Sequence, residues 1–263
     1  MNAQELGKFI AYKDSVFIMP FIEGRGLPHD FSVYKNNATF INAKWRKNFV
    51  ELGGVNRDRY ISVPASNSLN SCDNEVTAIV MFRLQEKIDI TDQNDYTYLF
   101  SKDAWDYWHI FVEQIEGLTT SVMTWDGTTE YRYCILGRDS PFNVYKPKVV
   151  FAGLSYSAKD GILKQIYNYA YVTKAKDPLP LNPAGHDGDL RFGHASPRSI
   201  PGFVYFGQVW KRCLSDSEVK SSYYHTKRNV KPTCVTRRGV YQAVKNTGIE
   251  VDGNMTNVAE VMC

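Results

Sequence analysis

The run Tyr107-Trp108-His109-Ile110-Phe111-Val112-Glu113, then Ser121-Val122-Met123-Thr124-Trp125 and the pair Asp126-Gly127, decides the fold class. In the first run Trp108, Ile110 and Val112 fall on one side, and Tyr107, His109 and Phe111 on the other. That two-residue period belongs to a strand, because successive Cβ atoms of extended chain point to opposite faces. The second run repeats the pattern, and Asp-Gly between alternating runs predicts a hairpin turn. Tyr131 and Tyr133 then open the returning strand.

The same reading extends in both directions. Upstream, Ser15 to Phe21 is short and apolar, and Glu75 to Leu84 is β-branched and apolar, as a central strand should be. Downstream, Lys148 to Tyr156 and Leu163 to Thr173 form a pair across Lys159-Asp160-Gly161. Within Leu163 to Thr173 the rings of Tyr167, Tyr169 and Tyr171 line one face of a single predicted strand, a packing ladder. Gly202 to Lys211 is the last strand. Ser215-Asp216-Ser217-Glu218 is a capping box and opens the one helix, with Val219 and Tyr223 as its apolar edge. Trp108 and Trp210 are expected in the core.

The chain has 263 residues, 43% of them hydrophobic and 14% aromatic, enough to bury a full core in one all-β domain. The formal charge of +3 resides in the last stretch. There Lys227, Arg228, Lys231, Arg237, Arg238 and Lys245 face Glu250, Asp252 and Glu260. So small an excess does not predict nucleic-acid binding. Cys72, Cys134, Cys213, Cys234 and Cys263 are widely spaced, with no Cys-x-x-Cys pair for zinc. Met1 to Phe9 is polar, without an apolar signal core, and no run reaches membrane-span length. The expectation is synthesis in a reducing cytoplasm with free thiols. Residues 1–14 read as a lead, 15–228 as the sandwich, and 229–263 as a C-terminal arm or small add-on module.

Several stretches, in order, resemble the concanavalin A-like, LamG-like jelly-roll family. Phe21-Ile22-Glu23-Gly24-Arg25-Gly26, Asp30-Phe31-Ser32 and Asn36-Asn37-Ala38-Thr39 are similar to its opening. Phe49-Val50-Glu51-Leu52-Gly53-Gly54 and Asp58-Arg59-Tyr60-Ile61-Ser62-Val63-Pro64 follow. Asp189-Leu190-Arg191-Phe192-Gly193, then Gly202 to Lys211 and Arg212 to Val219, resemble its close. Two departures stand out: Tyr169-Ala170-Tyr171-Val172 replaces a Tyr-x-Asp-Gly hairpin, and Tyr145-Lys146-Pro147 a Trp-His. The resemblance spans about residues 15–226. It implies an antiparallel β-sandwich jelly roll that binds glycans or proteins, often with calcium, as a module of adhesins, enzymes or virion proteins.

Chemistry is weighed on the residues themselves. A glycosidase needs two carboxyls facing one cleft. Glu113 and Glu116, three apart on a strand, face opposite ways, and Glu86, Asp89 and Asp92 are the other candidates. There is no nucleophile elbow, no phosphate loop, and no signature pairing Cys134 with a histidine. No enzyme is expected. Trp105, Asp106 and Tyr107 at a loop-to-strand junction, and Trp125 and Asp126 at a hairpin tip, are the glycan candidates: rings for stacking, carboxylates for hydroxyls. Gly185-His186-Asp187-Gly188-Asp189 reads either as a plain polar turn or as a calcium loop with Asp187 and Asp189 as ligands. The expectation is a non-enzymatic virion component of a virus or phage: a capsid decoration, fibre or attachment protein. Its arm, with Lys231, Arg237 and Arg238, contacts other copies or other virion proteins. A cellular lectin-like module and a glycoside hydrolase or lyase are the alternatives.

Overall fold

The computed structural model describes residues 14–46, 48–53, 58–84, 96–103, 107–113, 117–136, 149–194 and 200–230. In chain order its strands begin with β1 (Ser15–Pro20), β2 (Thr39–Ile41), β3 (Lys44–Arg46), β4 (Phe49–Leu52) and β5 (Tyr60–Val63). Next come β6 (Glu75–Leu84), β7 (Tyr96–Lys102), β8 (Trp108–Glu113), β9 (Gly117–Trp125) and β10 (Glu130–Ile135). The last are β11 (Val150–Ser157), β12 (Ile162–Tyr167), β13 (Ala170–Ala175), β14 (Leu190–Phe192) and β15 (Gly202–Trp210). A short helix at Asn67–Asn70, a 3-10 helix at Pro183–Asp187 and a helix at Asp216–Val230 complete the described elements.

The strands form two antiparallel sheets, a jelly-roll-like sandwich. One runs β13-β12-β11-β6-β15-β4-β3, with β1 also on β15; the other runs β10-β9-β8-β7-β14-β5-β2. β15 serves two neighbours along one edge. Gly202 to Val204 pair with β4, and Phe206 to Trp210 pair with β1. The changeover falls at Tyr205, where the register with β6 also shifts. Such a bulge bends the strand and lets one edge serve two partners.

Inward-facing Phe17, Val80, Phe100, Trp108, Ile110, Val112, Leu154 and Phe192 belong to the core between the sheets. Trp210 is instead buried in a second cluster, where Ile79, Phe151 and Ile166 of the first sheet's outer face meet Val219, Tyr223 and Val230 of the C-terminal helix. Each fully buried Val or Leu side chain there contributes about 1.5–3 kcal/mol, enough to hold a 15-residue helix that is marginal alone. The capping box forms as expected. Ser215 N donates to Glu218 Oε2 at 2.8 Å, and Glu218 N donates to Ser215 Oγ at 3.4 Å. Arg212 Nη2 adds an ion pair to Glu218 at 2.7 Å.

The Asp30 and Asn36 segments act in folding. The buried Asp30 carboxylate accepts from Ile18 N (2.9 Å), Ser32 N (2.8 Å), Ser32 Oγ (2.7 Å) and Asn36 N (2.8 Å). Four donors satisfy a carboxylate that solvent does not reach.

The tyrosine ladder is corrected. Residues 163–173 are two strands, with Tyr167 paired to Ala170 across a tight turn. Asn168 takes φ +55 there, a left-handed conformation that asparagine tolerates better than most residues. Alternation continued across the turn, so the period alone could not reveal it. Tyr167 is buried, whereas Tyr169 and Tyr171 are exposed.

Candidate functional site

The β9–β10 hairpin closes at one end of the sandwich's edge. Trp125 pairs with Glu130, and between them Gly127 takes φ +98. Asp126 Oδ1 accepts from Thr128 N (2.7 Å), Thr129 N (2.7 Å) and Thr128 Oγ1 (2.8 Å), while Oδ2 accepts from Tyr131 Oη (3.0 Å). The Thr129 and Thr128 amides hold this carboxyl down at about 2. Its acceptor directions are thus shared among the hairpin's own donors, and Asp126 clasps the turn and orients Tyr131.

What Asp126 orients is an aromatic platform. Tyr131, 37% exposed, stacks on Tyr133 with centroids 6.4 Å apart and planes 12° apart. Lys176 Nζ lies 4.8 Å from the Tyr133 ring centroid, and Tyr133 Oη donates to Asp177 Oδ2 at 3.4 Å. Trp125 N donates to Pro180 O at 3.0 Å, lashing the hairpin tip to the chain beyond β13. Tyr131, Tyr133, Lys176 and Asp177 therefore gather at this tip, while the half-buried Trp125 projects from the opposite face of the hairpin. Lys176 and Asp177 could not be singled out from sequence, because only the β10–β13 approach of the two sheet edges brings them here.

Of the other predicted aromatic site the structure describes only Tyr107. Trp105 and Asp106 lie outside the described residues. Tyr107 is buried, donates its hydroxyl to Asp73 Oδ1 at 2.9 Å, and meets the His186 ring edge-on at 5.7 Å. Burial raises its hydroxyl well above the usual phenol range. Tyr107 is an internal post.

The Gly185–Asp189 loop is built around an ammonium. Lys102, 1% exposed, donates from Nζ to Gly185 O (2.9 Å), His186 O (3.0 Å) and Gly188 O. Burial lowers this amine to about 8. Asp189 Oδ2 accepts from Ser62 Oγ at 2.6 Å and pairs with Arg191 Nη2 at 3.5 Å. The Gly185, His186 and Gly188 carbonyls face Lys102, and Asp187 and Asp189 are the carboxylates the loop would offer calcium. Among the described residues no three His, Cys, Asp or Glu side chains are grouped to hold a metal.

Of the hydrolytic candidates only Glu113 lies among the described residues. Glu113 ends β8, while Glu116, Glu86, Asp89 and Asp92 lie outside the described residues. On the outer face of β8–β10, Cys134 Sγ contacts Ser121 Oγ at 3.3 Å, and Arg132 Nε donates to Ser121 Oγ at 3.2 Å. Arg132 Nη2 lies 3.0 Å from His109 Nε2. A guanidinium only donates, so it occupies the imidazole lone pair. Burial, and then the Arg132 charge, lower His109 to about 3. A histidine so held is no general base near neutral pH.

No protein-family model matches the chain, and no curated protein sequence matches it. Solved structures do. The binding domain of Botulinum Neurotoxin DC in complex with SialylT aligns at TM-score 0.61 and 12% identity, covering 81% of this chain and 51% of that one. The binding domain of Paraclostridial Mosquitocidal Protein 1 aligns at TM-score 0.62 and 15% identity, covering 83% and 52%. A botulinum neurotoxin type C structure, whose cell entry is described as dependent upon two ganglioside molecules, aligns at 0.61 and 10%, covering 85% and 52%. The chain thus spans about half the length of these structures. At such identities the likeness establishes the β-sandwich fold.

Proposed function

We propose that the chain is a non-enzymatic recognition domain that binds glycans at the β9–β10 tip. The observation that carries this is the exposed Tyr131 ring stacked on the buried Tyr133 at the hairpin tip, oriented by the Asp126 clasp and flanked by Lys176 and Asp177. Flat rings stack on the C–H faces of sugars, and neighbouring charged groups serve hydroxyls. Among the structural neighbours are a binding domain in complex with SialylT and a neurotoxin whose cell entry is described as dependent upon gangliosides, which favours recognition over catalysis. In this reading the sandwich is of the LamG-like, concanavalin A-like kind. Its carrier is a virus or phage particle, where an attachment or decoration protein needs such a surface. Lys231, Arg237 and Arg238, outside the described residues, contact a neighbouring copy or another virion protein.

The test is a glycan panel on purified protein, with calcium and again with chelator. Specific binding, weakened about tenfold by Tyr131→Ala or Lys176→Ala at unchanged melting temperature, is expected. No binding to any glycan, or binding indifferent to both variants, overturns the reading. Mass spectrometry of purified particles tests the virion assignment, and its absence from them removes that part alone.

A further inference from the structure

A second aromatic surface lies at the far end of the same edge. Tyr169 sits in the β12–β13 turn, at the opposite end of β13 from Lys176 and Asp177. Its ring, 55% exposed, is near-parallel to Tyr224 of the C-terminal helix, 51% exposed, with centroids 6.3 Å apart and planes 13° apart. Tyr223 stands beside both, 5.6 Å from Tyr169 and 5.1 Å from Tyr224.

These rings are held in place. Tyr223 packs edge-on against the buried Phe151 at 5.6 Å, and Lys227 Nζ donates to its hydroxyl at 3.3 Å. Asn168 N donates to Phe151 O at 2.6 Å, which fixes the turn that carries Tyr169. Rigid aromatic groups lose little conformational freedom on binding, so a ligand gains most of their contact.

The charge on this flank of the helix has one sign. Lys220, Tyr224, Lys227 and Arg228, spaced four, three and one residues apart, share the exposed flank of the helix. The helix's acids face other partners. Asp216 pairs with Lys164 at 2.9 Å and accepts from Tyr171 Oη, and Glu218 pairs with Arg212. Three cations beside two parallel exposed rings therefore have no acid of the same helix to neutralise them.

The geometry points to a second binding site here, for an anionic polysaccharide carrying sulfate or carboxylate groups. Tyr169 and Tyr224 supply the stacking surface, and Lys220, Lys227 and Arg228 supply the charge. A nucleic acid strand is disfavoured because the basic flank covers only about two helical turns, roughly 11 Å, and the chain as a whole is only +3. The site is independent of the hairpin tip: the two surfaces lie at opposite ends of β13 and share no residue.

The test uses the full chain with a sulfated dextran oligosaccharide, the unsulfated dextran of equal length, and a single-stranded oligonucleotide. The sulfated dextran should bind, and the unsulfated one should bind at least about tenfold more weakly. Tyr169→Ala and Tyr224→Ala should each weaken the sulfated ligand about tenfold at unchanged melting temperature, while Tyr224→Trp retains it. Tyr131→Ala should leave this binding untouched, which separates it from the hairpin-tip site. Three results would each overturn the proposal: no binding, equal binding by the alanine variants, or preference for the oligonucleotide.

Discussion

The Lys102 ammonium donates to the Gly185 carbonyl at 2.9 Å from a position closed to solvent, and the 3-10 helix at Pro183–Asp187 winds around it. Replacing Lys102 with Met leaves the Gly185, His186 and Gly188 carbonyls facing an apolar chain. A buried acceptor that loses its donor costs about 1–3 kcal/mol. Lys102→Met should therefore lower the melting temperature by more than 5 °C, measured by calorimetry. Because the native loop already holds a cation, added calcium or chelator should leave the native melting temperature unchanged. A calcium-dependent rise would show that Asp187 and Asp189 bind metal despite Lys102.

Two turn glycines should behave differently. Gly161, at φ +60, closes the β11–β12 hairpin, and a Cβ there would lie 2.0 Å from Lys176 O. Gly127, at φ +98, has open space around it. Gly161→Ala adds a backbone clash to conformational strain and should cost about 3 kcal/mol or more, whereas Gly127→Ala carries strain alone, about 1–2 kcal/mol. Urea denaturation of both variants checks the ordering, and equal losses would contradict it.

Acid should destabilise the fold in two separable stages. His109 falls from 6.5 to about 3 on folding, chiefly through burial, so below pH 6.5 the unfolded chain takes up a proton that the folded chain refuses. Stability then drops by about 1.4 kcal/mol per pH unit for that one proton. Glu218 is held at about 2 by its hydrogen bonds from Arg212, so its contribution is present above pH 4.5 and is lost as pH falls towards 2. His109→Gln should flatten the stability profile between pH 6.5 and 4.5. Glu218→Gln should lower stability modestly above pH 4.5, because the pair is partly solvated, and flatten the profile only below that pH.

The Asp126 clasp can be read by amide exchange. Asp126→Ala removes the acceptor for Thr128 N and Thr129 N. Their hydrogen exchange should accelerate about tenfold or more, while Val122 N, inside the β9 ladder, stays protected. Unchanged exchange at Thr128 and Thr129 would show that the turn holds without the carboxylate.

Much of the architecture was legible in the residues because it is local. The alternation of Trp108, Ile110 and Val112 needs no partner strand to declare a core face, and those three side chains are in the core. Asp126-Gly127 selects its turn through the conformational freedom of glycine, and Ser215 with Glu218 caps a helix within four residues. Bounds such as Glu75–Leu84 follow from unbroken β-branched and apolar content.

Tertiary structure decided the rest, wherever an outcome depends on groups far apart in the chain. Tyr167, Tyr169 and Tyr171 share one sequence pattern, yet a tight turn buries the first and exposes the other two, because pairing competes with alternation. Tyr107 resembles the exposed aromatics of a loop, but Asp73 and His186 close around it from distant segments. Lys102 reads as a surface lysine until the Gly185–Asp189 carbonyls, more than 80 residues onward, give it a reason to be buried. Period and turn chemistry act between near neighbours and are written in the sequence, while the desolvation and pairing of single side chains depend on what folding brings beside them.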